Sequence, residues 1–97
     1  MKAYLIANVD VHDAEAYENY RSRTGAIVER YGGRFLVRGG RIEMLEGEPN
    51  FARLVIIEFP DVTAAHAFYD SPEYREIIPF RTNTSDGALC IVAGVEN

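Results

Sequence analysis

Asn8, Arg38, Arg53 and Glu58 are polar residues set in stretches of chain that are otherwise apolar. A buried polar group costs about 1–3 kcal/mol unless something pairs with it, so each of the four needs a partner. Two readings supply one. In the first, the four form a structural network, with an arginine paired to Glu58 across neighbouring strands. In the second, they border a cleft in which Arg38 or Arg81 holds an anionic substrate while Glu58 or His66 moves a proton. His66 lies one turn from Val62 and three residues before Tyr69, at the border of a helix's inward face, or half-buried at the surface on the plainer reading. Tyr17, Tyr20 and Tyr31, with Phe68, Tyr69 and Tyr74 later in the chain, either pack the core or line an apolar pocket of the kind small molecules occupy.

Other chemistries lack their residues. One cysteine, Cys90, excludes an internal disulfide framework and any multi-cysteine metal cluster, and it reads as a small buried hydrophobe. His12 and His66 are far apart in the sequence and form no His-x-x-x-His pair, so no metal is expected. No cofactor is expected either, since Gly32-Gly33 and Gly39-Gly40 lack the spacing of a dinucleotide loop. No Ser-His-Asp or Cys-His arrangement is present. A net charge of −5 opposes nucleic-acid binding. Within the basic stretch Arg30, Arg34, Arg38 and Arg41, strand alternation puts Arg34 and Arg38 on one face and Arg41 on the other unless a bulge intervenes.

The elements that must position these residues follow from periodicity. Residues 3 to 9 alternate Ala3, Leu5, Ala7, Val9 against Tyr4, Ile6, Asn8, a strand with two largely apolar faces. Asn8 and Asp10 end the apolar run early, so a first strand is preferred over a signal peptide, and the expected location is cytoplasmic. Asp13 stands as an N-cap, and Tyr17, Tyr20, Thr24, Ile27, Val28 and Tyr31 recur at helical spacing up to a Gly32-Gly33 stop, predicting a helix from about 13 to 31. A second strand is predicted from Arg34 to Leu45, with Phe35 and Val37 sharing a face and the glycine pair marking a bulge. Residues 46–50 read as a turn.

The third strand, Phe51 to Phe59, sets Val55, Ile57 and Phe59 one way and Leu54 and Ile56 the other, the pattern of an inner strand covered on both sides. Asp61 caps a short helix through Tyr69, and Pro72 opens further helical turns up to Pro79. Thr82 to Gly87 reads as a polar loop and Ala88 to Val95 as a last strand.

With 97 residues the chain fits one domain, 1–97, and 47% hydrophobic content is enough for a core while no run reaches the roughly 20 residues of a membrane span. The order β-α-β-β-α-β with right-handed crossovers gives an α+β, ferredoxin-like fold: a four-stranded antiparallel sheet with its helices on one face. Apolar residues on both faces of the inner strands then require a second cover, and a homodimer supplies it with a copy of the same sheet.

Tyr17 and Tyr20, Gly32-Gly33-Arg34-Phe35, Arg38-Gly39-Gly40, Leu45-Glu46-Gly47, Ile57-Glu58-Phe59-Pro60, Ala64, Phe68-Tyr69, Ser71-Pro72-Glu73-Tyr74 and Arg81 together resemble the bacterial domain-of-unknown-function family numbered 1330. The resemblance covers essentially the whole chain. One departure is Phe68, at a position that is often tryptophan in the family; this chain has none. The family is similar in fold to the dimeric α+β barrels, whose members include cofactor-free monooxygenases, haem-degrading enzymes, muconolactone-type isomerases and ligand-binding regulators. The resemblance thus implies a dimer and leaves the chemistry open.

The expected function is binding or conversion of a small aromatic or anionic metabolite between helices and sheet, by cofactor-independent acid–base or oxygenase chemistry. Glu58 and His66 are the candidate proton carriers, with Asn8, Tyr17, Tyr20, Arg38, Phe68, Tyr69, Tyr74 and Arg81 on the substrate. The alternative is a non-catalytic homodimer that serves interaction or sequesters a ligand.

Overall fold

The computed structural model describes residues 1–96. Seven elements follow in order: β1 (Ala3–Val11), α1 (Ala14–Arg30), β2 (Arg34–Arg38), β3 (Leu54–Phe59), α2 (Val62–Asp70), α3 (Pro72–Thr82) and β4 (Ser85–Ala93). The strands form one antiparallel sheet in the order β2-β3-β1-β4, so the two most apolar strands lie inside it. Leu5 stands opposite Ile57 on one side and Ile91 on the other, and Ala7 opposite Val55 and Leu89. These residues share the face that packs against the helices.

Local chemistry accounts for the helix ends. The Asp13 carboxylate accepts from the Ala16 N–H at 3.1 Å and opens α1. At its far end the Gly32 and Gly33 N–H groups return to the Glu29 and Val28 carbonyls, with Gly32 at φ +79°. Gly33 is also required by space, because a β-carbon there would lie 2.7 Å from the Phe59 ring and 2.9 Å from Val28. Ser71 joins α2 to α3: its hydroxyl donates to the Phe68 carbonyl at 2.8 Å and accepts from the Tyr74 N–H at 3.1 Å. The core is built from β1, Ile57, Phe59, Tyr17, Tyr20, Ile27, Val28, Phe68, Tyr74 and Ile77.

Several boundaries differ from the sequence reading. β2 ends at Arg38, and residues 39–53 form no regular element, because Gly39 turns the chain at φ +71°. The extra residue that bulges β2 lies earlier than the glycines: Phe35 pairs with Ile57 but Val37 with Ile56, leaving Leu36 over. Phe35 and Val37 therefore do not share a face, and neither do Arg34 and Arg38. Helix α3 continues past Pro79 to Thr82, and β4 begins at Ser85, so the expected polar loop shrinks to two residues. Cys90 is exposed rather than buried, since it points away from the helices on an edge strand.

Candidate functional site

A cavity of about 30 Å³ lies between α1, α3 and the sheet. Its floor is the helix-facing side of the strands and its walls are aromatic. The Tyr17 and Tyr20 rings stand 5.4 Å apart, Tyr20 and Tyr74 6.1 Å, and Phe68 and Tyr74 4.5 Å. Arg38, Arg53 and Arg81 also line it, together with Arg21, which is paired with Glu18, and no aspartate or glutamate does.

Each of the first three arginines arrives by a different local device. The bulge at Leu36 turns Arg38 toward the helices, so it pairs in register with Val55 rather than following Arg34 outward. Its guanidinium lies 4.1 Å from the centre of the Phe35 ring and donates to the Arg21 carbonyl at 2.6 Å. Arg53 precedes Leu54 by one residue and so shares the face of Val55 and Ile57. A β-carbon on Gly39 would run into the Arg53 guanidinium, which is why glycine suits that position twice over. Arg81, on the last turn of α3, sits 5.9 Å from the centre of the Tyr20 ring.

The electrostatics are one-sided. Among the described residues the ion pairs engage Lys2, His12, Arg21, Arg30, Arg34, Arg41 and Arg75, and none engages Arg38, Arg53 or Arg81. The Nε atoms of Arg53 and Arg81 are buried without a hydrogen-bond partner. Burial, then the neighbouring guanidiniums of Arg21 and Arg53, lower the pKa of Arg38. The Tyr20 and Tyr74 hydroxyls meet at 2.6 Å. Burial is the main cause that raises both phenols above their usual range, Tyr20 strongly; the charge of Tyr74 adds to it at Tyr20, whereas Arg81 pulls both the other way.

The cavity thus gathers Tyr17, Tyr20, Arg38, Phe68, Tyr74 and Arg81 from the residues singled out in the sequence. It does not gather the rest. Glu58 lies on the opposite face of the sheet, with Arg34 at 3.1 Å and Lys2 at 3.7 Å. The Asn8 side chain also leaves the cavity aside and fastens the 39–53 segment, donating to the Asn50 carbonyl and accepting from the Ala52 N–H, both at 2.9 Å. His66 and Tyr69 border a separate groove between α2 and β4, and His66 is exposed. Arg53, singled out in the sequence as a polar residue on an apolar strand but not assigned to the substrate, joins the cavity residues, in step with Val55 on an alternating strand. Among the described residues no cluster of three or more His, Cys, Asp or Glu side chains could hold a metal ion, and no helix is long and apolar enough to cross a membrane.

Sheet order, register and helices packed on one face define the dimeric α+β barrel fold. The chain belongs to the DUF1330 family, a domain of unknown function whose model matches residues 2–95. Solved structures agree on the fold. RPA0582 from Rhodopseudomonas palustris, a protein of unknown function, is 24% identical, with a TM-score of 0.77 over 99% of this chain and 84% of that one. SnoaB from Streptomyces nogalater, a cofactor-independent oxygenase, is 15% identical, with a TM-score of 0.71 over 99% and 95%. Rv0793 from Mycobacterium tuberculosis is 15% identical, with a TM-score of 0.59 over 100% and 98%. No curated protein matches the chain.

Proposed function

We propose that the cavity, together with the cleft of about 430 Å³ that adjoins it, binds a small aromatic anion and converts it by cofactor-independent acid–base or oxygenase chemistry. One observation carries this reading: three arginines without a carboxylate partner line an aromatic cavity in a chain whose acidic residues outnumber its basic ones 15 to 10. Leaving a buried donor unmatched costs about 1–3 kcal/mol, which a ligand supplying the acceptor would return. Tyrosines complete the profile, offering ring faces for stacking and, in Tyr20 and Tyr74, hydroxyls that hold a proton at neutral pH. SnoaB, described as a cofactor-independent oxygenase, offers a precedent for that chemistry on the same fold. Ligand sequestration without turnover is the second reading, and the position of Glu58 and His66 away from the cavity favours it.

The same reading places the protein in the cytoplasm as a homodimer. Tyr4, Ile6, Leu54 and Ile56 are only half-covered on the face turned away from the helices, and Val92 there is 44% exposed. A second sheet would cover them, and light scattering at micromolar concentration should give twice the 10.9 kDa chain mass. For the cavity, calorimetric titration with 4-hydroxybenzoate tests the charge requirement. The carboxylate is expected to bind at least tenfold tighter than 4-hydroxybenzamide; equal binding of the neutral amide would sink the proposal.

A further inference from the structure

The positive charge of the cavity sits at two ends. Arg81 lies beside Tyr20 and acts electrostatically on Tyr20 and Tyr74. Arg53 lies 5.9 Å from the ring of Tyr17, on the side where Arg38 feels both it and Arg21. The rings of Tyr17 and Tyr20 stand between the two ends. Arg21 is already matched, with Glu18 at 3.1 Å, whereas the other three cations have no carboxylate. A ligand with one negative charge would satisfy one end and leave the other unmatched.

We infer that the natural ligand carries two anionic oxygen groups separated by an aromatic spacer, one held by Arg81 near the Tyr20–Tyr74 hydroxyls and the other by Arg38 and Arg53. The inference rests on the anion-binding reading above and narrows it to a substrate class.

The adjoining space bears on that assignment. The cavity alone holds about 30 Å³, room for water-sized groups, so the aromatic spacer must extend into the adjoining space. The cavity shares Val9, Tyr17, Arg21 and Arg53 with a cleft of about 430 Å³ that opens between α1 and the 39–53 segment. The cleft is also lined by Asp10 and by Glu18, the latter paired with Arg21; Arg53 lines both spaces and Arg81 only the inner one, so an entering ligand reaches Arg81 last. At the neck the Arg53 Nε is buried without a hydrogen-bond partner and the Arg38 guanidinium donates to the Arg21 main-chain carbonyl, so neither is held by a carboxylate. Arg38 and Arg53 repel one another until an anion comes between them.

Calorimetric titration with terephthalate and isophthalate, each against its monomethyl ester, separates this inference from the reading beneath it. On the unmodified protein at least one diacid should bind at least about tenfold tighter than its ester, since a second charge-assisted pairing is gained. In Arg81→Gln, and separately in Arg38→Gln, that advantage should fall to within about twofold while the ester still binds. Arg38 is exposed enough for its variant to fold normally, which keeps the test valid if Arg81→Gln does not fold. Esters and diacids binding alike would overturn the two-anion inference and leave the anion site standing. An advantage that survives in Arg38→Gln would overturn it too, and failure of all four compounds to bind would overturn both.

Discussion

Arg34 and Arg38 stand four residues apart on one short strand, yet they inhabit opposite faces of the sheet and opposite electrostatic settings. Arg34 faces outward, paired with Glu58 at 3.1 Å, its side chain 71% exposed. Arg38 faces the helices, stacked on Phe35, with guanidiniums and no carboxylate nearby. A single extra residue, Leu36, separates the two fates. The outer face uses charge to close a local pair, whereas the helix-covered face keeps its charge unmatched. The second arrangement is the one that a ligand can complete.

The two faces should also differ in how much stability each side chain carries, and this is the largest effect expected. Phe59 is fully buried beneath α2, so Phe59→Ala should cost about 3–5 kcal/mol in urea unfolding. Ile56, the neighbouring inner-strand residue on the outer face, is half-exposed in the single chain, and Ile56→Ala should cost about 1 kcal/mol. A second copy covering that face would raise the latter figure and make it depend on protein concentration. Equal and concentration-independent costs at both positions would break the distinction between the faces.

A smaller effect lies in the alkaline range. Burial first, then the neighbouring Tyr74 phenol, raise the Tyr20 pKa, and burial raises that of Tyr74. The folded state therefore holds these protons more tightly than the unfolded chain, whose phenols titrate near 10. Their contribution to stability is complete below about pH 10 and is lost as pH rises beyond it. Tyr20→Phe removes the 2.6 Å hydroxyl pair and should be less stable by about 1–2 kcal/mol at pH 8. Its deficit should shrink between pH 10 and about 11.5 in urea midpoints, since one of the two titrations is gone. A deficit constant across that range would mean that the pair ionises no differently when folded.

Much of this was legible in the sequence, for identifiable reasons. Alternation in β1 and β3 and the three-and-four spacing of Tyr17, Tyr20, Thr24, Ile27 and Val28 fixed which sides would be buried. From those faces come the sheet floor of the cavity and two of its walls, Tyr17 and Tyr20. The side of Arg38 was not legible, because strand parity is lost across a bulge and the glycine pair drew attention to the wrong place. The placement of Glu58 was implicit in the same alternation, since it falls in step with Ile56; its pairing with Arg34 needed the β2–β3 register, which depends on that bulge. His66 was ambiguous for another reason: the periodicity of a nine-residue helix leaves border positions undecided until the packing of α2 on β4 is known.

The smallest expected effect sharpens the opening contrast. Arg34→Gln removes a pair in which the arginine is largely solvated, so stability should fall by less than about 1 kcal/mol and aromatic-anion affinity should not change. Lys2, 3.7 Å from the same carboxylate, remains to balance Glu58. Arg38→Gln, by contrast, should weaken binding of the preferred phthalate diacid by about tenfold or more. Unfolding and titration of the two variants side by side test whether face decides role. The Glu58 side chain is only 14% exposed even in the single chain. If a partner sheet desolvates it further, the cost of Arg34→Gln rises above about 2 kcal/mol, because removal of one partner then strands a buried charge. The mildest substitution therefore reports whether the outer face is covered in solution.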